Sequence, residues 1–157
     1  MALSTTARST PVGTKLKDGY QTLIAFSVDP DISFWEKTVT PPGFDGGELI
    51  DQTTMFNTTV MTYAERALFK VTDAQLRAAY TPKLYDQLLA IQGTPGTITV
   101  HFPDGSTLDF AGVLKSAIPG ENVEGTQPEI VIVIGATNVD PSTGVEVVPD
   151  YKVGPGC

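Results

Sequence analysis

His101 is the only histidine in the chain, and the only cysteine is Cys157. Histidine is the usual general base near neutral pH, and a cysteine thiolate is a common nucleophile and metal ligand. One copy of each residue excludes a His-x-x-x-His metal pair, a thiolate metal cluster and an intramolecular disulfide. On a strand, the side chain of His101 points away from those of Val100 and Phe102, which favours a structural role over general-base catalysis.

Several carboxylates between positions 29 and 51 are of the type that binds Ca²⁺ through oxygen ligands. They are Asp29, Asp31, Asp45, Glu48 and Asp51. Their spacing matches no calcium-binding loop, and an aspartate in a turn commonly accepts a hydrogen bond from nearby backbone instead. The glycines of GFDGG have no strand-to-helix context for phosphate binding, and no serine lies in a G-x-S-x-G turn. We therefore expect no enzymatic activity, no metal and no cofactor.

The composition predicts one β-rich domain. The chain has 157 residues, of which 41% are hydrophobic, enough for a core of its own. Thr, Val and Ile are abundant, and these β-branched residues favour strands. The net charge of −8 argues against specific binding of nucleic acid, which relies on Lys and Arg at the phosphates. No run approaches the ~20 apolar residues of a membrane span, and residues 1–15 lack the apolar segment of a signal peptide.

The central domain is expected over residues 19–140, between two arms. Residues 1–18 are polar and contain Pro11 and Gly13, so they form an N-terminal arm without a core. Residues 141–157 are rich in Pro and Gly and are expected to form an irregular C-terminal arm. Strands are predicted within residues 20–30, 34–40 and 67–80.

The second half of the domain carries clear local signals. Thr81 as cap, Pro82 at the first position and Gly93 after the end predict a helix over residues 82–92. Pro103-Asp104-Gly105 predicts the turn of a hairpin. The apolar run from Ile130 to Ile134 predicts a strand that is buried on both faces.

The segment at residues 40–70 begins with chain breakers. Pro41 and Pro42 cannot donate to a ladder, and Gly43, Gly46 and Gly47 permit positive φ angles, so a loop is expected before an extended hairpin. This hairpin contains the apolar residues Met55, Phe56, Val60, Met61 and Tyr63. Two interpretations stay open: these side chains fill the core of the domain, or they are exposed for association. Trp35 is expected in the core or in an interface.

The order of these segments resembles that of the major tail tube proteins of long-tailed, siphovirus-type, non-contractile bacteriophages. The likeness covers about residues 34–149. Its segments are IDQTTM, the long central hairpin, YTPKLYDQLLAI, FPDGSTL, PGE, the apolar strand and DPSTG. The resemblance implies a mainly β fold of two packed antiparallel sheets, a β-sandwich or barrel, flanked by one α-helix.

The same resemblance implies a structural function. Copies would form hexameric rings, and stacked rings would form the tail tube that conducts DNA, with the protein located in the virion tail after assembly in the host cytoplasm. Its partners would be other copies of itself, the tape measure protein and the tail terminator and distal tail proteins. DNA would pass without specific binding, and a lumen lined by carboxylates would repel its backbone. No membrane is involved.

Contacts between subunits are expected from the N-terminal arm (residues 1–18), the C-terminal arm (residues 141–157) and the central hairpin. The candidate contact residues are Pro41, Pro42, Phe44, Met55, Phe56, Met61 and Tyr63. One alternative is another tube-fold tail component, such as a terminator or distal ring protein, which would form single rings. A second alternative is a β-sandwich module that binds a carbohydrate or a small ligand through Trp35 and neighbouring tyrosines.

Overall fold

A seven-stranded antiparallel sheet forms the body of the protein in the computed structural model, which describes residues 22–154. The strands are β1 (Leu23–Phe26), β2 (Glu36–Thr40), β3 (Phe44–Asp45), β4 (Ile50–Asp51), β5 (Tyr63–Ala64), β6 (Lys70–Val71), β7 (Ala74–Ala79), β8 (Gly96–His101), β9 (Thr107–Pro119), β10 (Glu129–Ala136) and β11 (Asp150–Lys152). The helix α1 (Pro82–Ile91) lies between β7 and β8.

The order of strands in the main sheet is β1-β8-β9-β10-β7-β2, and β11 pairs with the beginning of β9. The sheet is strongly curled, so its first and last strands approach each other: Ile24 N on β1 donates to Glu36 Oε1 on β2 at 3.4 Å. Two ribbons, β3–β6 and β4–β5, lie outside this sheet. The predicted mainly β fold with one helix is confirmed, in a barrel-like form.

The core lies on the concave side of the curl and is lined by alternate residues of the strands. On β10, Ile130, Ile132 and Ile134 are fully buried, whereas Val131 and Val133 on the other face are half-buried. The expectation that this strand is buried on both faces is therefore wrong. The antiparallel sheet has its core on one side, and its other face is left in partial contact with solvent.

The helix α1 begins at the predicted residue, ends one residue earlier than the predicted 82–92, and packs on the sheet. Thr81 Oγ1 accepts a hydrogen bond from Leu84 N at 3.3 Å, and Pro82 occupies the first turn. Leu84, Leu88 and Ile91 form the buried stripe. Gly93, with φ of +78°, leads the chain away from the helix end. The local signals of the sequence were therefore sufficient to predict this helix.

The predicted β8–β9 hairpin is confirmed, with Gly105 at φ +87° in its turn. β9 is 13 residues long, so its first half pairs with β8 and β11 and its second half pairs with β10. One strand thus joins both halves of the sheet.

Two predicted segments differ from the structure. The strand expected over residues 67–80 is broken into β6 and β7, because Thr72 turns aside to bond Gly43. The expectation of an irregular tail is wrong at β11, which pairs with β9 while Tyr151 packs its ring edge against Phe102 with centroids 6.2 Å apart. The predicted N-terminal arm, residues 1–18, and Cys157 lie outside the described residues.

Candidate functional site

Residues 41–73, here called the arm, leave the main sheet after β2 and return to it at β7. The β3–β6 ribbon forms its base, where Phe44 pairs with Val71, and the β4–β5 ribbon lies further out, where Ile50 pairs with Ala64. Gly43 N donates to Thr72 Oγ1 at 2.7 Å, and Thr72 N donates to Gly43 O at 2.8 Å. This exchange fixes the point at which the arm leaves the sheet.

The glycines after the base redirect the arm. Gly47 has a φ of +73°, a conformation that favours glycine, and its N–H donates to Asp45 Oδ1 at 2.9 Å. Beyond this turn, Arg66 Nε donates to Glu48 O at 2.6 Å across the two chain segments. The breaker-rich sequence therefore forms a defined bend between the two ribbons.

Residues 52–62, here called the tip, are held by polar side chains rather than by burial. Asn57 accepts from Thr54 N at 2.9 Å and donates to Val60 O at 3.0 Å. Thr62 N donates to Thr53 Oγ1 at 3.1 Å, and Thr53 N donates to Asp51 Oδ1 at 2.9 Å. The bonds from Thr53, the backbone one first, hold the pKa of Asp51 below its usual value of 3.8. Side chain-to-backbone bonds of this kind define a loop without a core.

Large apolar side chains project from this polar frame. Met55 is 99% exposed and Phe56 92% exposed, and Phe44, Met61 and Tyr63 are each at least half exposed. These residues do not fill the core of their own chain, so of the two interpretations of the hairpin the core one is wrong. Pro41 is half-buried and Pro42 is buried, so they offer less surface than the others. The contact of these seven residues with another subunit stays a prediction.

Sequence reasoning missed Leu68 and Phe69, which add to the apolar surface at the base of the arm. Leu68 is exposed, and the ring of Phe69 meets that of Phe44 edge-on with centroids 5.2 Å apart. Both residues lie in the strand that was expected over residues 67–80, and a strand pattern of this kind does not indicate that the two side chains are exposed.

A second apolar surface lies at the other end of β2, in an open groove of about 1110 Å³. Its walls come from β1, β2, the end of β7, the β8–β9 turn and the segment before β10. The lining residues are Thr22, Leu23, Phe34, Trp35, Glu36, Lys37, Ala79, His101, Phe102, Pro103, Gly105 and Gln127. Trp35 is 76% exposed, so the expectation that it could belong to the core is wrong.

The charged groups of the groove already have partners. Glu36 accepts from Ile24 N, and burial raises the pKa of its carboxyl above the usual 4.5 despite the opposing effect of the backbone hydrogen bonds. Lys37 Nζ lies 3.0 Å from Glu129 Oε1, and Arg77 lies 3.3 Å from the other oxygen of the same carboxylate. His101 is half-buried on β8 at the edge of this groove. The groove therefore presents mainly apolar surface.

Three of the five acidic residues considered as calcium ligands make turns instead. Asp29, Asp45 and Asp51 each accept a bond from the backbone N–H two residues further on. Within residues 22–154 no group of three or more potential ligands is brought together. In the same part of the chain, no helix has the length and apolar character that crossing a membrane requires.

The overall fold of this chain is shared with a solved structure. One chain from the structure titled "Cryo-EM structure of the anti-feeding prophage (AFP) baseplate, 6-fold symmetrised" superposes with a TM-score of 0.55 at 8% identity, over 85% of this chain and 92% of that one. A type six secretion system protein gives a TM-score of 0.47 at 11% identity, over 84% and 94%. No family model and no curated protein matches the sequence. The chain therefore shares its fold with this baseplate chain.

Proposed function

We propose that this protein is a structural component of a phage tail, which assembles with its own copies into stacked hexameric rings that form a non-contractile tail tube. The observation that carries the proposal is the arm: in a chain that shares its fold with a baseplate chain, Met55 and Phe56 are almost fully exposed at the end of a hydrogen-bonded hairpin. Apolar surface presented in this way usually marks a site of association.

The edges of the main sheet support the same proposal. Among residues 22–154, β1 forms a backbone ladder only with β8 and β2 only with β7. The two strands approach each other through the bond from Ile24 N to Glu36 Oε1, but they form no ladder with each other. Such edges promote uncontrolled pairing unless they are covered. A ring in which β1 or β2 of one copy meets an edge of the next would cover them, and its closure limits growth in that direction. The similar baseplate structure is described as six-fold symmetrised, which agrees with a hexamer.

The proposed role of the tube is to conduct DNA without binding it specifically. The net charge of −8 is compatible with a lumen that repels phosphates, a repulsion that salt screens over about 8–10 Å. In this proposal the protein has no catalytic role and no cofactor. Its partners are its own copies, the tape measure protein and the terminator and distal proteins, in the virion tail after assembly in the host cytoplasm. A ring structure with a lumen dominated by Lys and Arg would contradict the charge argument.

Negative-stain electron microscopy tests the assembly. The purified wild-type protein at high concentration, seeded with tail initiator complex, is expected to form tubes. The combined substitution Met55→Asp and Phe56→Asp is expected to block stacking while the protein still unfolds cooperatively, because unpaired charge in an interface is costly. Met55→Leu with Phe56→Leu keeps the apolar surface and is the matched control. A wild type that stays monomeric, or an Asp variant that unfolds outright, contradicts the proposal.

A second candidate is a tube-fold ring component such as a terminator or distal protein. The similarity to a baseplate chain favours it, since that structure is described as a baseplate and as six-fold symmetrised. Single rings in the micrographs, at every concentration and with the initiator present, would support this candidate over the tube.

A third candidate, from a different class, is a module that binds a carbohydrate or small ligand. The exposed Trp35 in an open groove favours it. Binding on a glycan array that quenches Trp35 fluorescence, with the protein monomeric throughout, would support this candidate over assembly.

A further inference from the structure

We propose that the groove beside Trp35 is the acceptor for the tip of a second copy of this chain, so that copies associate head to tail. The proposal rests on the self-association proposed above and names the two surfaces that meet. The tip supplies Met55 and Phe56, and the groove supplies Leu23, Phe34 and Trp35.

The positions of the two surfaces favour two copies. Glu36 pairs with Ala78 at the groove end of the β2–β7 pair, and Thr40 pairs with Gln75 at the end from which the arm leaves. β2 separates these ends by four residue rises, about 13 Å. To enter the groove of its own copy, the tip would have to turn back along the whole of β2. A contact between unlike surfaces repeats from copy to copy, as ring closure or tube growth requires.

The polarity of the two surfaces also matches. From Gln52 to Thr62 the tip has no charged residue. The charged groups in the groove are occupied, Glu36 by Ile24 N and Lys37 by Glu129, so an uncharged occupant leaves these bonds intact. A charged occupant would bring unpaired charge into an apolar site, at a larger cost.

The charges beside the groove balance. Lys37 and Arg77 supply two formal positive charges, and Glu36 and Glu129 supply two formal negative charges. The groove therefore has no net charge to neutralise, which suits the uncharged tip.

The size of the contact predicts that a single docked tip is weak. An aromatic side chain buries about 150–250 Å², whereas a stable interface buries about 1,200–2,000 Å² in total. The groove volume of about 1110 Å³ accommodates several side chains, but one tip supplies only part of the required area. Stable association therefore needs several contacts at once, which a copy inside a ring or tube obtains and a free pair does not.

A mixing experiment isolates this one contact. The tip variant, Met55→Asp with Phe56→Asp, keeps its groove, and the groove variant, Trp35→Ala, keeps its tip. Trp35 is the only tryptophan of the chain, so all tryptophan emission in the mixture comes from the groove of the tip variant. Both sites are exposed, so neither change removes core packing.

Titration of the tip variant with the groove variant is expected to shift the emission to shorter wavelength with 1:1 saturation. Because a single docked tip binds weakly, sedimentation at high concentration is expected to show a reversible heterodimer whose fraction rises with concentration and that does not grow further. The control is a chain with all three substitutions, for which the apparent Kd should rise by at least about tenfold. An unchanged spectrum, or a shift that the control reproduces, overturns the proposal.

Other outcomes separate this proposal from the assembly it rests on. If the wild type forms tubes and Trp35→Ala forms them equally well, the groove is not the acceptor although the proposed function stands. If the wild type never assembles, the proposed function fails, and the titration still decides whether the tip binds. If the tip variant alone emits at short wavelength until residues 1–21 are deleted, the chain fills its own groove and the proposal is overturned.

Discussion

The curled sheet and the arm use the same kinds of side chain for opposite purposes. Phe110 on β9 is 1% exposed, whereas Phe56 at the tip is 92% exposed. Burial of the first contributes to the stability of the monomer, and burial of the second contributes only when another molecule covers it. The comparison shows that an apolar residue on a strand-like pattern is not by itself evidence for a core.

The two regions also differ in what holds their backbones. The main sheet has strands of up to 13 residues, whose ladders are long although the β9–β10 and β2–β7 pairs each contain a register shift. Each arm strand has only two residues. The arm depends on Thr, Asn and Asp side chains, such as Asn57 across the tip and Thr72 at the base. Each such bond contributes about 0.5–1.5 kcal/mol, so the arm can keep its shape without supplying much global stability.

The largest difference in the free energy of unfolding is expected between alanine substitutions of two phenylalanines. Phe110→Ala is expected to lower the free energy of unfolding by about 3–5 kcal/mol, because it leaves a cavity among fully buried residues. Phe56→Ala is expected to change it by less than about 0.5 kcal/mol. Urea denaturation followed by circular dichroism measures both values. Equal losses would remove the distinction between the sheet and the arm.

The next largest difference in the free energy of unfolding is expected between substitutions of two glycines. A Cβ at Gly112 would lie 2.8 Å from Gly135 O and 3.0 Å from Ile98 Cδ1, so Gly112→Ala is expected to cost about 1–3 kcal/mol. At Gly46, in the arm, no atom of residues 22–154 outside its immediate chain neighbours lies within 4 Å of the corresponding position. Gly46→Ala is expected to be neutral or slightly stabilising in the same denaturation experiment. A neutral Gly112→Ala would show that β9 and β10 can separate locally.

Two polar side chains sharpen the comparison further. Thr81→Ala removes the cap of α1 and is expected to cost about 1 kcal/mol in global stability, while Thr81→Ser retains most of that stability.

Asn57→Ala removes the bonds that cross the tip. We expect faster amide hydrogen exchange at residues 52–62 with an unchanged unfolding midpoint. A lowered midpoint for Asn57→Ala would mean that the tip and the sheet unfold together.

The smallest expected effect is the pH dependence of two carboxyls. The raised pKa of Glu36 means that the folded state holds this proton more tightly, so its contribution is present below pH 4.5 and is lost as pH rises through the folded value. The lowered pKa of Asp51 has the opposite sign: its contribution is present above pH 3.8 and is lost as pH falls through the folded value.

Glu36→Gln is therefore expected to remove a small decrease in stability between pH 4.5 and neutrality, with the hydrogen bond from Ile24 N retained. Asp51→Asn is expected to remove acid sensitivity of exchange at the tip and to leave the sheet unaffected. Denaturation profiles and exchange rates measured across this pH range give the two signs. If stability changed in the same direction with pH at both positions, the result would contradict the partly buried environment of Glu36 and the hydrogen-bonded environment of Asp51.

Local sequence signals were sufficient to predict the elements that depend only on residues close to them in sequence. Thr81, Pro82 and Gly93 act within a few residues of the helix they bound, and Gly105 acts within its own turn. β11 was missed because its pairing depends on β9, a strand far away in sequence, and its flanking prolines and glycines suggested irregular chain. The burial of β10 was overestimated because an apolar run does not show how many faces are covered.

The candidate site was predicted in part. Breakers such as Pro42 and Gly47 indicated a loop and a hairpin, and the structure has an arm there, but pattern alone did not decide whether Met55 and Phe56 were buried. That depends on whether the rest of the domain leaves space for them. The groove was not predicted at all, since its walls come from segments far apart in sequence and exist only when the sheet curls.

The pairing of β1 with β8 has a consequence for the rate at which a copy becomes ready to assemble. Within the β8–β9 hairpin, the bond from Thr99 to Asp109 closes 10 residues of chain. The pairing of Leu23 with His101 closes 78, from position 23 to position 101. Longer closures are slower, so the hairpin is expected to form early and β1, which lines the groove, to join the sheet late. The groove is complete only after that last step. Incorporation into a growing structure would then wait for the slowest event of folding, which protects the unfinished chain from premature capture.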